Sequence, residues 1–124
     1  MNTEHKQVVY KNFEVDEAML PIIKVLNDNG IETLYSCQGD DNNRPYVVIK
    51  SSDKAEIFVK TLLMLDFMCR SEKMKKANNE TQIASSFEVT FDCQLGEYRY
   101  CIRSLDLKNM EYMFNTVLNL MKNS

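Results

Sequence analysis

The residues whose types could act together on a ligand are a polar elbow, three arginines and a few tyrosines. The elbow is Ser36, Cys37, Gln38 and Gly39, near the end of the stretch GIETLYSCQGD (Gly30–Asp40), with Arg44 shortly after it. Arg99 and Arg103 flank Cys101 with strand alternation, so on one strand they share a face. Arginine and free backbone N–H groups are what a pyrophosphate asks for, and aromatic rings are what a nucleobase stacks on. Tyr35, Tyr46 and Tyr98 are the candidate stacking surfaces, while Ser36 and Gln38 suit ribose hydroxyls. The expected ligand-binding set is therefore Ser36, Cys37, Gln38, Gly39, Arg44, Arg99 and Arg103. Each also has a plainer role, since elbows often merely turn and charged sheet faces are usually just solvated.

Catalysis has less support. Cys37 at a strand end is a candidate nucleophile, but no base lies near it in sequence, and the single histidine, His5, stands far away. Asp40 and Asp41 are adjacent carboxylates in a turn, a setting in which acids are ordinarily solvated. Cys37, Cys69, Cys93 and Cys101 have no C-x-x-C spacing. They are expected to be reduced and structural, with no metal and no cofactor. The chain is read as a non-enzyme.

At 124 residues, 44% apolar and 27% charged, the chain suits one domain (1–124) with a real core. A net charge of −3 argues against a nucleic acid polymer as partner but not against a small phosphorylated ligand. The longest apolar run, LLMLDFMC, is broken by Asp66 and too short to span a bilayer, so no membrane partner is expected. MNTEHKQ lacks an apolar signal core, which points to the cytoplasm.

Several elements would position the elbow and the arginines. Alternation predicts a first strand over Val8–Val15. A helix follows, capped by Asp16 and carrying Met19, Ile22, Ile23 and Leu26, with Pro21 either opening or bending it. Gly30 ends that helix. A strand with Ile31, Thr33 and Tyr35 on one face leads into the elbow, and a second strand runs from Tyr46 to Lys50. Ser52 or Asp53 caps a long helix with Phe58, Leu62 and Leu65 inward. Its Met64, Phe67 and Met68 form an added apolar stripe, read first as core and otherwise as a partner surface. Ser71–Gln82 is read as a fraying helix end and mobile loop. A hairpin follows, with Phe87, Val89, Phe91, Tyr98, Tyr100 and Ile102 on one face and acids and arginines on the other. A turn at Gly96-Glu97 would set Asp92 against Cys101, whereas one at Leu95-Gly96 would set Asp92 against Arg99 and Glu88 against Arg103. Asp106 caps a last helix. The order βα-ββα-ββα predicts an α+β domain, a mixed or antiparallel sheet backed by helices, with a ferredoxin-like core as one arrangement.

Two halves echo each other. YSCQ (Tyr35–Gln38) recurs as FDCQ (Phe91–Gln94), and IKSSD (Ile49–Asp53) as IRSLD (Ile102–Asp106), suggesting an internal ββα duplication.

The segment Val15–Ile49, with GIETLYSCQGD followed by PYVVI, resembles small phage and prophage proteins carrying G-I-x-T-x-Y-S-C-Q-G before an aromatic-aliphatic strand. Among them it looks most like the Thoeris anti-defence sponge family. That resemblance implies a protein that sequesters a cyclic ADP-ribose isomer without cleaving it. It would act in the host cell cytoplasm and prevent activation of the defence effector. The alternative is a protein–protein inhibitor or adaptor using the acidic surface and Met-rich helix faces. The apolar width of the long helix also predicts a homodimer or higher homo-oligomer.

Overall fold

Where alternation predicts one strand over Val8–Val15, the computed structural model, which describes residues 5–77 and 86–123, has a hairpin of β1 (Gln7–Tyr10) and β2 (Phe13–Asp16). Lys11 and Asn12 turn the chain with φ of 49° and 71°, and Tyr10 pairs with Phe13 across the turn. Two successive left-handed residues match the right-handed twist of a hairpin. Lysine seldom adopts that conformation, so the turn is only weakly signalled in the letters, by Asn12. The order is thus ββα three times over, all within an α+β fold.

A single 3₁₀ turn at Glu17–Met19 precedes α1 (Leu20–Asp28). Pro21 stands in the first turn of α1, where its missing N–H leaves nothing unpaired, so the helix opens there rather than bending. Ile22, Ile23 and Leu26 are buried. The helix closes when Gly30 N–H donates to Asn27 O at 3.0 Å and Ile31 N–H donates to Leu26 O at 2.9 Å. That pair of bonds is a Schellman stop, and it seats fully buried Ile31 beside the helix end.

The main sheet runs β3-β4-β6-β5 and is antiparallel throughout, with β3 (Thr33–Cys37), β4 (Tyr46–Lys50), β5 (Phe87–Gln94) and β6 (Glu97–Ser104). Each hairpin pairs locally and joins the other through β4 and β6, so there is no ferredoxin-like split crossover. Leu95 and Gly96 form the β5–β6 turn, which sets Asp92 opposite Arg99 and Glu88 opposite Arg103. In the β4–β6 ladder Val48 faces Cys101, and these two correspond under the echo that carries Ile49 to Ile102 and Asp53 to Asp106. The centre of the sheet is therefore an approximate two-fold relating two ββα units. The YSCQ/FDCQ part of the echo is out of register with it. Cys37 pairs with Tyr46, the counterpart of Arg99, and Arg99 pairs with Asp92 rather than Cys93.

Helices α2 (Asp53–Ala77) and α3 (Leu107–Lys122) cover one face of this sheet together with α1. Phe58 of α2 and Phe114 of α3 meet edge to face at 5.0 Å, over Val47, Ile49 and Ile102, and all five are fully buried. Ser52 caps α2 through a 3.1 Å bond from Ala55 N–H, and Asp106 caps α3 through a 2.7 Å bond from Asn109 N–H. Asp66, which interrupts the apolar run in the sequence, is buried, pairs with Arg70 and accepts from Ser86 Oγ at 2.5 Å. One carboxylate thus fastens α2 to the start of β5.

The Met stripe departs from the core expectation. Met64, Phe67 and Met68 are exposed because helical spacing puts them on the outer face of α2, opposite the face that buries Phe58, Leu62 and Asp66. The helix extends to Ala77, and the rest of the tract read as a loop, 78–82, lies outside the described residues. Among the described residues no helix is long and apolar enough to cross a membrane.

Candidate functional site

β3 does not alternate cleanly. Thr33 pairs with Ile49, but Tyr35 pairs with Val48, so an irregularity at Leu34 shifts the parity of the strand. Tyr35 consequently leaves the face of Ile31 and Thr33 and stands on the helix-free side of the sheet, 60% exposed. That side also carries Cys37, Tyr46, Arg99, Cys101 and Arg103. A one-residue slip in a strand moves a side chain to the other face, and here it converts a core candidate into a ligand candidate.

The β1–β2 hairpin packs beside β3 and walls this surface into a cleft of about 1020 Å³. Tyr35, Ser36, Tyr46 and Arg99 line it from the sheet, and Tyr10, Lys11 and Phe13 from the hairpin. The Arg99 guanidinium lies 5.9 Å above the Tyr35 ring, and the Arg103 guanidinium 4.8 Å above the Tyr46 ring. Arg99 Nε donates to Asp92 Oδ1 at 2.7 Å and Nη2 to Oδ2 at 3.4 Å. The hydrogen bond from Arg99 holds the Asp92 carboxyl below its usual range, and the same bond raises the Arg99 guanidinium. Arg103 has no carboxylate at ion-pair distance among the described residues, although Glu88 is its cross-strand partner. Burial pushes the Cys101 thiol between the arginines upward, and so keeps it protonated.

The elbow itself differs from expectation. Its N–H groups are committed inside the protein. Gln38 N–H donates to Asp16 Oδ2 at 3.0 Å, Gly39 N–H to Cys37 Sγ at 3.5 Å, and Asp40 N–H to Asn43 O at 2.9 Å. Gln38, Gly39 and Arg44 border a shallower hollow of about 410 Å³ facing Leu105–Leu107, apart from the large cleft. The predicted set is thereby divided. Ser36 and Arg99 line the main cleft, Gln38, Gly39 and Arg44 line the hollow, and Cys37 and Arg103 stand on the sheet face between β3 and β6.

Three groups that sequence spacing separates are brought together. His5 Nδ1 is 3.3 Å from Asp16 Oδ2, and a ligating atom of each of His5, Asp16 and Cys37 lies within 4.8 Å of the others. Cys37 thus has an imidazole and a carboxylate beside it, contrary to what its sequence neighbours suggested. Asp16 does not cap the following turn with its side chain, because its oxygens are taken by His5, Gln7 and Gln38. Sequence reasoning also missed Tyr10, Lys11 and Phe13, since reading 8–15 as one strand sends its two ends apart. A left-handed Asn after Lys in a polar pair between two alternating runs was the one available signal.

No family model matches the chain, and neither a curated protein nor a solved structure matches it.

Proposed function

We propose that this protein is a non-enzymatic phage anti-defence protein that binds and sequesters a nucleotide-derived signal of the cyclic ADP-ribose type in the host cytoplasm. The observation that carries the binding reading is the cleft of about 1020 Å³ with Tyr35, Tyr46 and Arg99 on one wall and Lys11 on the other. Small-molecule sites run to roughly 300–1,000 Å³, combine aromatic surface with a few placed polar groups, and are concave. Rings for a base, hydroxyls of two tyrosines for ribose, and two cations for a pyrophosphate are the complement of such a ligand. The anti-defence context and the choice of a cyclic ADP-ribose isomer rest on the resemblance of Val15–Ile49. The exposed Met64, Phe67 and Met68 support a second protein surface, which we assign to self-association as a homodimer or higher homo-oligomer.

The test is ligand-induced thermal stabilisation with cyclic ADP-ribose isomers, ADP-ribose and linear dinucleotides as probes. Binding should weaken roughly tenfold or more in Arg99→Ala, as expected when a charge-assisted hydrogen bond to a phosphate is lost. The ligand released by heat should be chemically unchanged. Recovery of a cleaved product would make the protein an enzyme, with Cys37, His5 and Asp16 as the residues to examine. Unaltered affinity in the Arg99→Ala/Arg103→Ala double variant would move the site off this face and return both arginines to a solvated sheet surface. No stabilisation by any small nucleotide would favour the inhibitor or adaptor reading.

A further inference from the structure

We propose that His5, Asp16 and Cys37 form a mononuclear site for a divalent transition-metal ion of the zinc type. The three come from separate segments: His5 from the chain leading into β1, Asp16 from the end of β2 and Cys37 from the end of β3. Their ligating atoms lie within 4.8 Å of one another, and the His5 Nδ1 to Asp16 Oδ2 distance is 3.3 Å. Two ligands at about 2.0–2.1 Å from a tetrahedral zinc stand about 3.3 Å apart, so that pair already has the spacing of a bound set. The thiol, with its sulfur within 4.8 Å of both, is the third corner. An imidazole, a carboxylate and a thiolate together disfavour magnesium and calcium, which take oxygen ligands, and suit zinc or cobalt.

Two further observations point the same way. Asp16 is buried, and among the described residues its one ion-pair partner is a histidine. A buried carboxylate is costly unless a positive charge compensates it, and a divalent ion does so fully. The surroundings also have the character of an outer coordination shell. Gln7 Nε2 and Gln38 N–H orient the two carboxylate oxygens, and Gly39 N–H donates to Cys37 Sγ at 3.5 Å, which fixes the position of the sulfur. Three protein ligands leave one position of a tetrahedron for water or a ligand oxygen. The ion would clamp the start of the hairpin to the elbow, and so fix the hairpin wall of the cleft.

Cobalt provides the experiment. The full chain, stripped with a chelator and titrated with Co²⁺, should take up one equivalent with the visible bands of a tetrahedral site and a thiolate-to-cobalt charge-transfer band. Cys37→Ser should abolish that charge-transfer band, whereas Cys69→Ser/Cys93→Ser, which removes the exposed thiols, should keep it. Asp16→Asn risks the fold because Asp16 is buried and holds Gln38. His5→Ala lies outside the sheet and should fold normally by circular dichroism. It should bind Zn²⁺ roughly tenfold or more weakly in competition with a chromophoric chelator. Absence of tetrahedral cobalt in the unsubstituted chain, a charge-transfer band that survives Cys37→Ser, or unchanged zinc affinity in His5→Ala would each overturn the proposal.

Discussion

Replacing Gly39 by alanine tests whether the elbow is held by the chain that returns beneath it. Gly39 and Gly96 have nearly the same backbone, with φ of +77° and +80°. An L-residue in that left-handed region costs about 1–2 kcal/mol at either position. Their surroundings differ. A Cβ on Gly39 would sit 2.6 Å from Asn43 O, 2.7 Å from Pro45 N and 2.9 Å from Arg44 C, all backbone, whereas one on Gly96 meets nothing within 4 Å. Relieving the Gly39 contacts means moving residues 43–45. That segment accepts from Asp40 N–H at Asn43 O (2.9 Å) and from Ser104 N–H at Pro45 O (3.1 Å), tying the elbow to the end of β6. Losing one or both bonds adds about 0.5–1.5 kcal/mol each. Gly39→Ala should therefore cost about 1.5–5 kcal/mol and Gly96→Ala about 1–2 kcal/mol. Urea denaturation followed by circular dichroism resolves that difference, and Tm should fall roughly 5–20 °C for Gly39→Ala, given several degrees per kcal/mol in a domain of this size. Equal losses in the two variants, or a larger loss at Gly96, would refute the argument that backbone crowding rather than dihedral strain governs the elbow.

Asp92 should titrate below the ordinary aspartate range in the folded protein, because Arg99 hydrogen-bonds its charged form. A depressed folded pKa contributes stability that is present above the unfolded value and lost as pH falls through the folded one. NMR titration of the Asp92 carboxyl should follow that order, and Arg99→Ala should return it to the usual range. Iodoacetamide should modify the exposed Cys69 and Cys93 well before Cys101, whose thiol is raised by burial, as read by peptide mass mapping. In sedimentation the chain should exceed its 14.5 kDa monomer mass at micromolar concentration, and Phe67→Ser/Met68→Ser should shift it towards that mass.

Much of the α+β fold was legible in the letters. Alternation over Phe87–Ser104, the apolar period of Leu107–Met121, the caps at Ser52 and Asp106 and the stop at Gly30 are local signals, and local hydrogen bonds and helix periodicity carry them out. The shared face of Arg99 and Arg103 was likewise legible, because strand alternation depends on nothing beyond the strand. Three features were decided only in three dimensions. The Lys11-Asn12 turn rests on left-handed backbone that neither letter demands, and it folds what reads as one strand into a wall of the cleft. The slip at Leu34 is set by pairing with β4, and it alone moves Tyr35 from the core face to the cleft. His5, Asp16 and Cys37 meet because the hairpin carries residue 5 back to the end of β3, a contact between positions that no local periodicity relates. Sequence pattern reports what a residue does to its neighbours along the chain, whereas turn handedness, strand register and long-range closure depend on partners that only the folded chain supplies.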